Sequence, residues 1–348
     1  MFSKTSLATS LGRLVAALVL ALVLTTLIVL IAGAPPLQTL AILVVGGLGS
    51  AAKLAQAAAV WIPLVLCSSA LLLTFAAGLW NIGIEGQIIL GAVFATGFLR
   101  PFPDGGSFLL VMGALMAGMI GGALWALAAG LLRTWGRVHE IFGGLGLNFV
   151  ALGLTLWLIF GPWKRPGIAS MSGTEPLHPT LWLEALGGSS LSPVSLLLAL
   201  TVFLLVAFVL SSTQWGLRLK AVGQNQDAAL LFGLNPQVRI LEAMVGCGAL
   251  AGLAGALQVV GVYHRLLPAI SSNYGYTALL VAMLASFRSQ IVPVLCFFFA
   301  VLNVGSIQLP LQLKLDSSLA GVIQGVLVLS FFLVQGFEER FRVLRRTE

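Results

Sequence analysis

Apolar runs of about 20 residues recur along the whole of this 348-residue chain. That length is what an α-helix needs to cross the hydrocarbon of a bilayer. Only 8% of the residues are charged, whereas a surface that faces water needs about 25–35%. The chain is therefore expected to be an all-α polytopic membrane protein. Its 40 glycines fit this reading, because small residues let membrane helices approach closely.

Ten membrane-spanning helices are expected. The first, Leu14 to Ile31, follows Lys4 and Arg13. Ala32-Gly33-Ala34 resembles a cleavage site, but the run is longer than a signal-peptide core and reads as a retained span. Residues 37 to 83 are too long for one span and too short for two with a loop. Lys53, Gln56 and Gly46-Gly47 interrupt the first half, so Leu37 to Gln56 reads as a re-entrant or outer-face segment and Ala57 to Leu79 as the second span. The third ends near Leu99. The fourth, Ser107 to Leu132, carries Gly118, Gly122, Ala126 and Gly130 on one face, which fits either a moving interface or static packing. The fifth ends at Phe160. The next are Val194 to Leu210, Val238 to Val262, Tyr276 to Phe287, Ile291 to Leu309 and Leu319 to Val334, followed by a basic tail from Phe337 to Glu348. The whole chain, 1–348, reads as one transmembrane domain.

Charge orients this topology. Twelve of the 18 Lys and Arg residues fall inside if the N-terminus is inside, and six fall outside. The excess of cations on cytoplasmic loops then places both termini in the cytoplasm. It leaves loop 161–193, with Trp163 and Trp182, outside and segment 213–237 inside. The net charge of +7 sits at helix ends, with no basic stripe interleaved with aromatics, so nucleic acid is not an expected partner.

Segment 213–237 is the most informative stretch. Asn225 suits an N-cap and Asp227 suits the first turn. Gly233 suits the C′ stop, and Asn235-Pro236 starts the next helix. A short helix on the cytoplasmic side, through Ala228 and Ala229, would act as a lever if a partner gripped it; an ordinary structured loop is the alternative. A second polar group, Asn81, Glu85 and Gln87, lies at the edge of an apolar run. An ionisable residue there reads as a gate or hinge, or as a wet helix boundary. Asn148, Asn303, Gln308 and Gln324 are isolated polar residues within spans. They fit helix–helix contacts or, with Tyr274 and Tyr276, a path for a hydroxylated solute.

The sequence lacks a P-loop, G-x-S-x-G and H-E-x-x-H. Cys67, Cys247 and Cys296 lack metal-ligand spacing, so no metal is expected. Intramembrane carboxylates, needed for proton coupling, reduce to Glu85 and, just inside its span, Glu242. A transporter so equipped takes its energy from elsewhere. A secondary carrier or channel acting alone is the alternative.

Gly78-Leu-Trp-Asn-Ile-Gly-Ile-Glu-Gly-Gln87, followed by Leu90-Gly91, resembles the N-I-G-x-E-G-Q pattern of bacterial ABC-importer permeases. The branch is the sugar and nucleoside one of the branched-chain amino acid, ribose and nucleoside permease family. Gly216-Leu-Arg-Leu-Lys-Ala-Val-Gly223, Asn225, Ala228-Ala229 and Gly233 resemble the family's cytoplasmic coupling segment. Cys247-Gly-Ala-Leu-Ala-Gly-Leu-Ala-Gly255 resembles the run after it, with Cys in place of Ser. The likeness runs from about residue 57 to 335. It implies a non-enzymatic permease in the bacterial cytoplasmic membrane, importing a nucleoside or sugar by alternating access. It also implies coupling through Gly223, Asn225, Asp227, Ala228, Ala229 and Gly233, and a second permease subunit, the same chain or a paralogue. The other implied partners are a cytosolic ATPase dimer carrying ATP and Mg, an extracytoplasmic solute-binding protein or lipoprotein, and membrane lipid. Where nucleoside permeases carry E-V-I-x-T-x-M-x-N, this chain has Glu140-Ile-Phe-Gly-Gly-Leu-Gly-Leu-Asn148.

Overall fold

A computed structural model describes residues 19–20, 22–31, 33–106, 108–165, 173–314, 318–319, 321–326, 328–330 and 333–334. The basic N-terminal residues, the basic tail and parts of the first and last expected spans lie outside these. Among the described residues the chain is helical, with no strand. Among the described residues six helices are long and apolar enough to cross a membrane, or seven if a bent pair counts as one span.

That pair is α1 (Leu22–Ile31) and α2 (Pro36–Leu48), bent by 108° at residues 32–35. The six are α3 (Ala51–Ala76), α5 (Phe108–Thr134), α6 (Glu140–Phe160), α7 (Pro193–Ser212), α10 (Pro236–Gln258, continued by a π turn to Tyr263) and α12 (Val292–Ser306, continued by α13, Gln308–Leu313). The shorter α4 (Ile84–Leu99), α11 (Tyr274–Leu284) and α14 (Gly321–Ser330) are also apolar. Between α7 and α10 lie the amphipathic α8 (Gln214–Gln224) and the six-residue α9 (Gln226–Leu231).

The boundary expected at Ala57 is not where the helix begins. α3 runs unbroken from Ala51, and the Ser50 hydroxyl accepts the Lys53 N–H. Lys53 and Gln56 sit in its first two turns, Gln56 exposed and Lys53 half-buried, where neither interrupts the helix.

The helices fall into two compact units. One comprises the described parts of Met1–Ala57 and Phe298–Glu348, the other Ala58–Phe297. In the first, Gly46 and Gly47 of α2 let backbone meet backbone. A Cβ on Gly46 would stand 2.8 Å from the Gly305 Cα, and one on Gly47 would stand 2.6 Å from the Val301 carbonyl oxygen.

The second unit is built on α4, α5 and α10. The small-residue face of α5 is packed along α10. Gly122 lies against Gly248 and Gly252, Gly118 against Ala256, Ala126 against Gly248, and Gly130 against Leu241 and Met244. Gly91 of α4 meets Gly252 at the same crossing, and Gly255 meets Ile88. Such contacts gain dispersion energy and weak Cα–H···O bonds that bulkier residues would forbid. The face is therefore filled by close packing against α10 and α4. α3 and α10 are buried over 72% of their spans, but α6 and α7 over only 28% and 17%, so α6 and α7 form the periphery.

Gly252→Val should force this crossing apart and cost about 1–3 kcal/mol or more, as overpacking does. Gly153→Ala on α6 meets open space and should be neutral or better, by about 0.5–1 kcal/mol. Thermal unfolding of the purified protein in detergent compares the two directly.

Candidate functional site

In the second unit, the starts of α4 and α11 come without caps of their own. α4 begins after Gly83 and α11 after Asn273, and neither preceding residue offers a side-chain bond. The first N–H groups of any helix need partners, and in lipid those partners must be protein. Both starts are served by other helices. The Gly86 N–H donates to Asn148 Oδ1 on α6 at 2.8 Å. The Gly275 N–H donates to Glu85 Oε2 on α4 at 2.8 Å.

A buried polar cluster grows from these bonds. Asn148 Nδ2 donates to the Ile82 carbonyl (2.9 Å) and to the Tyr276 hydroxyl (3.2 Å). Asn81 and Gln87 exchange amide bonds in both directions, each 3.1 Å. Asn81 Nδ2 also reaches Cys247 Sγ on α10 at 3.1 Å. Asn81 is 1% exposed, Glu85 4% and Gln87 0%, so the wet-boundary reading does not hold for them. Gly144 explains part of the glycine-rich start of α6, since a Cβ there would lie 2.6 Å from the Gly83 nitrogen. The structure thus joins Asn81, Glu85, Gln87 and Asn148. Asn303 lies on α12 in the other unit, half-buried.

The segment that links Asn81 to the surface is the turn 77–83. Gly78 has φ +76°, open to glycine at little cost. Its backbone packs on Gly223, the penultimate residue of α8, where a Cβ would stand 2.8 Å from the Gly78 nitrogen. α8 is pinned in three further ways. The Thr213 hydroxyl accepts the Gly216 N–H at its start, and Lys220 Nζ donates to the Leu210 carbonyl at 2.6 Å. Trp215 Nε1 donates at 2.7 Å to Glu242 of α10, which also pairs with Arg239 at 2.6 Å.

α9 follows with its local signals in place. Asn225 Oδ1 accepts the Ala228 N–H at 2.9 Å, and Gly233 takes φ +80° just past the end. Ala229 is buried, whereas Asn225 and Asp227 are exposed. Leu231 and Phe232 are 88% and 85% exposed, an apolar tip on a polar surface.

At the other end of α10, the described part of loop 161–193 is laid along residues 260–266. The N–H groups of Thr174, Leu177 and Leu183 donate to the carbonyls of Leu266, His264 and Val260. Trp182 stacks on His264 with ring centroids 3.9 Å apart and donates to the Leu177 carbonyl. Burial holds the His264 imidazole below its ordinary pKa. Arg100 lies over Trp163, 5.0 Å from the ring. The two tryptophans therefore fasten this loop to the protein. Arg100, Trp163, Lys164, Glu175 and His178 line a cleft of about 450 Å³ beside it.

Fold and site together define a multi-pass helical membrane protein in which a surface helix is joined through backbone contacts to a buried polar cluster. The chain belongs to the family described as the permease component of the branched-chain amino acid transport system, whose model matches residues 53–331. Among its relatives is the glucose ABC transporter permease protein TsgB13 of Haloferax volcanii, 32% identical over 81% of this chain and 76% of that protein. The guanosine ABC transporter permease protein NupP of Bacillus subtilis is 26% identical over 80% of each chain. The nucleoside ABC transporter permease protein NupB of Lactococcus lactis is 26% identical over 83% of this chain and 82% of its own.

Asn148→Leu leaves the Gly86 N–H and the Ile82 carbonyl buried without their partner. It should cost about 1–3 kcal/mol. Cys247→Ser keeps an acceptor for Asn81 and should cost less than Cys247→Val. Thermal unfolding in detergent ranks all three.

Proposed function

We propose that this chain is the permease subunit of an ATP-driven ABC importer, working by alternating access, and that α8–α9 is the handle by which cytosolic ATPases move it. The observation that carries this reading is the contact of Gly223 with Ala76 and Gly78. A push on the exposed tip at Leu231 and Phe232 passes from α9 across the extended Asn225 to pinned α8 and on to the 77–83 turn. From that turn it reaches Asn81, Glu85 and Gln87, and through them α6, α10 and α11. Gly223, Asn225, Asp227, Ala228, Ala229 and Gly233 shape the handle, and Asn81, Glu85, Gln87 and Asn148 form the joint beside the solute path. Asn303 is a further path residue.

The solute is a nucleoside or sugar. The named cargoes of the relatives, glucose, guanosine and nucleosides, share a polyhydroxylated ring. ATP and Mg are held by the partner ATPase dimer, and this chain contributes no catalytic group. A second permease subunit completes the pathway. A solute-binding protein or lipoprotein delivers cargo to the face formed by loop 161–193 and residues 260–273, where the cleft at Arg100 and Lys164 opens.

The topology that goes with this reading has about ten passes in the cytoplasmic membrane, with both termini in the cytoplasm. The α1–α2 bend belongs to a re-entrant segment, and residues 1–348 act as one permease domain. Three turns share the cytoplasmic face in this scheme: 77–83, 223–225 and 285–288. Their packing supports it, since Phe287 meets Phe75 at 4.5 Å and Trp80 at 6.4 Å, and Gly78 meets Gly223.

Leu231→Asp with Phe232→Asp should release the ATPase subunits on co-purification and reduce ATP-dependent uptake in proteoliposomes to background, with membrane insertion unchanged. Gly223→Leu should keep the ATPase bound but lose uptake. Concentrative uptake by this chain with no ATPase present would overturn the reading and favour a secondary carrier.

A further inference from the structure

α11 is a half-length helix. Its eleven residues span about 16 Å at 1.5 Å per residue, against about 30 Å of hydrocarbon. Its start is largely inside the protein: Ile270 is fully buried and Ser271 and Tyr274 nearly so, while Asn273 reaches the surface. The backbone N–H groups at that start carry the positive end of the helix dipole. Asn273, in the left-handed region at φ 59°, makes no side-chain cap.

Glu85 fills this position. Its carboxylate accepts the Gly275 N–H at 2.8 Å and lies beside the Ser271 side chain and the backbone of Asn273 and Tyr276. Among the described residues no Lys, Arg or His forms an ion pair with Glu85, so the helix start is the group that balances its charge. Gly275 is needed for the fit, because a Cβ there would lie 2.9 Å from the Glu85 nitrogen and closer still to the carboxylate. The far end of α11 is held too, through Phe287 against Phe75 and Trp80.

We propose that Glu85 is a positioning residue for transport: it clips the buried start of half-helix α11 to the first turn of α4, so that α11 moves as one body with the 77–83 turn and the α8–α9 handle. This rests on the importer reading above. The carboxylate acts as a cap supplied from another helix and is not a contact for the solute. Asn148 does the same for α4 and ties α6 into the same body through Tyr276.

The test uses the purified chain and the transporter reconstituted with its ATPase. Glu85→Gln keeps the shape and removes the charge. It should slow uptake about tenfold at unchanged KM, the scale of one charge-assisted hydrogen bond. Adding Asn273→Asp, which brings a negative charge to the turn just before α11, should restore part of the lost rate through the helix dipole. A second readout needs no transport. The buried Cys296 thiol donates to the Ser68 hydroxyl, which donates to the Ala278 carbonyl of α11. N-ethylmaleimide should therefore label Cys296 faster in Glu85→Gln than in wild type, and at an intermediate rate in the double variant. A raised KM with unchanged labelling would make Glu85 a solute contact and overturn the proposal. Wild-type uptake and labelling in Glu85→Gln would overturn it as well. If no variant, wild type included, imports solute while the labelling pattern still appears, the importer reading fails and the clip stands.

Discussion

A helix that starts inside a membrane protein has no water to complete its first backbone bonds, and much of this structure follows from how that deficit is met. Unpaired N–H groups in hydrocarbon cost several kcal/mol each. Here the starts of α4 and α11 are completed by Asn148 and Glu85, side chains borrowed from helices far away in sequence. The same bonds hold three helices in register. A cap that serves one helix start has become a joint between α4, α6 and α11.

The packing around that joint decides what can move. Where α4, α5 and α10 cross, glycine meets glycine and backbone meets backbone. A close-packed crossing of this kind has no soft direction. At Gly223 backbone again meets backbone, so in the coupling scheme proposed above motion imposed on α8 would pass to the turn that carries Asn81. Transmission over this distance needs elements that shift as whole bodies, which close glycine contacts with borrowed caps would supply in that scheme.

What could be read from the sequence was what is local. Asn225, Gly233 and Asn235-Pro236 announced the ends of α9 and the start of α10, because a cap and its helix lie within a few residues of each other. Apolar run lengths gave the long spans for the same reason. The helix boundary was set at Ala57 because Lys53 and Gln56 looked like interruptions, whereas they sit in the first turns of a long helix that begins at Ala51. The small-residue face of α5 was visible, but not which helix would fill it. The partners of Asn148 and Glu85 had no local signal at all. Gly86 and Asn148 lie 62 residues apart, and Gly275 and Glu85 lie 190 apart. Nor did Trp163 and Trp182 show locally what they would pack against: the stacking of Trp182 on His264 depends on the path of residues 260–266.

The roles found for the carboxylates also bear on where the energy comes from. A carrier driven by protons needs an acid inside the membrane that is free to exchange its proton during the cycle. Glu85 was the first candidate, and its carboxylate is committed to the start of α11. Glu242 is committed to Arg239 and to Trp215 of α8, and Glu140, at the start of α6, to Arg133. Each would have to give up a structural bond to carry a proton, and two of the three would loosen α8 or α11 in doing so. All three acids thus serve as fastenings, and in the importer reading proposed above the exposed apolar tip at Leu231 and Phe232 is the point at which a partner would push.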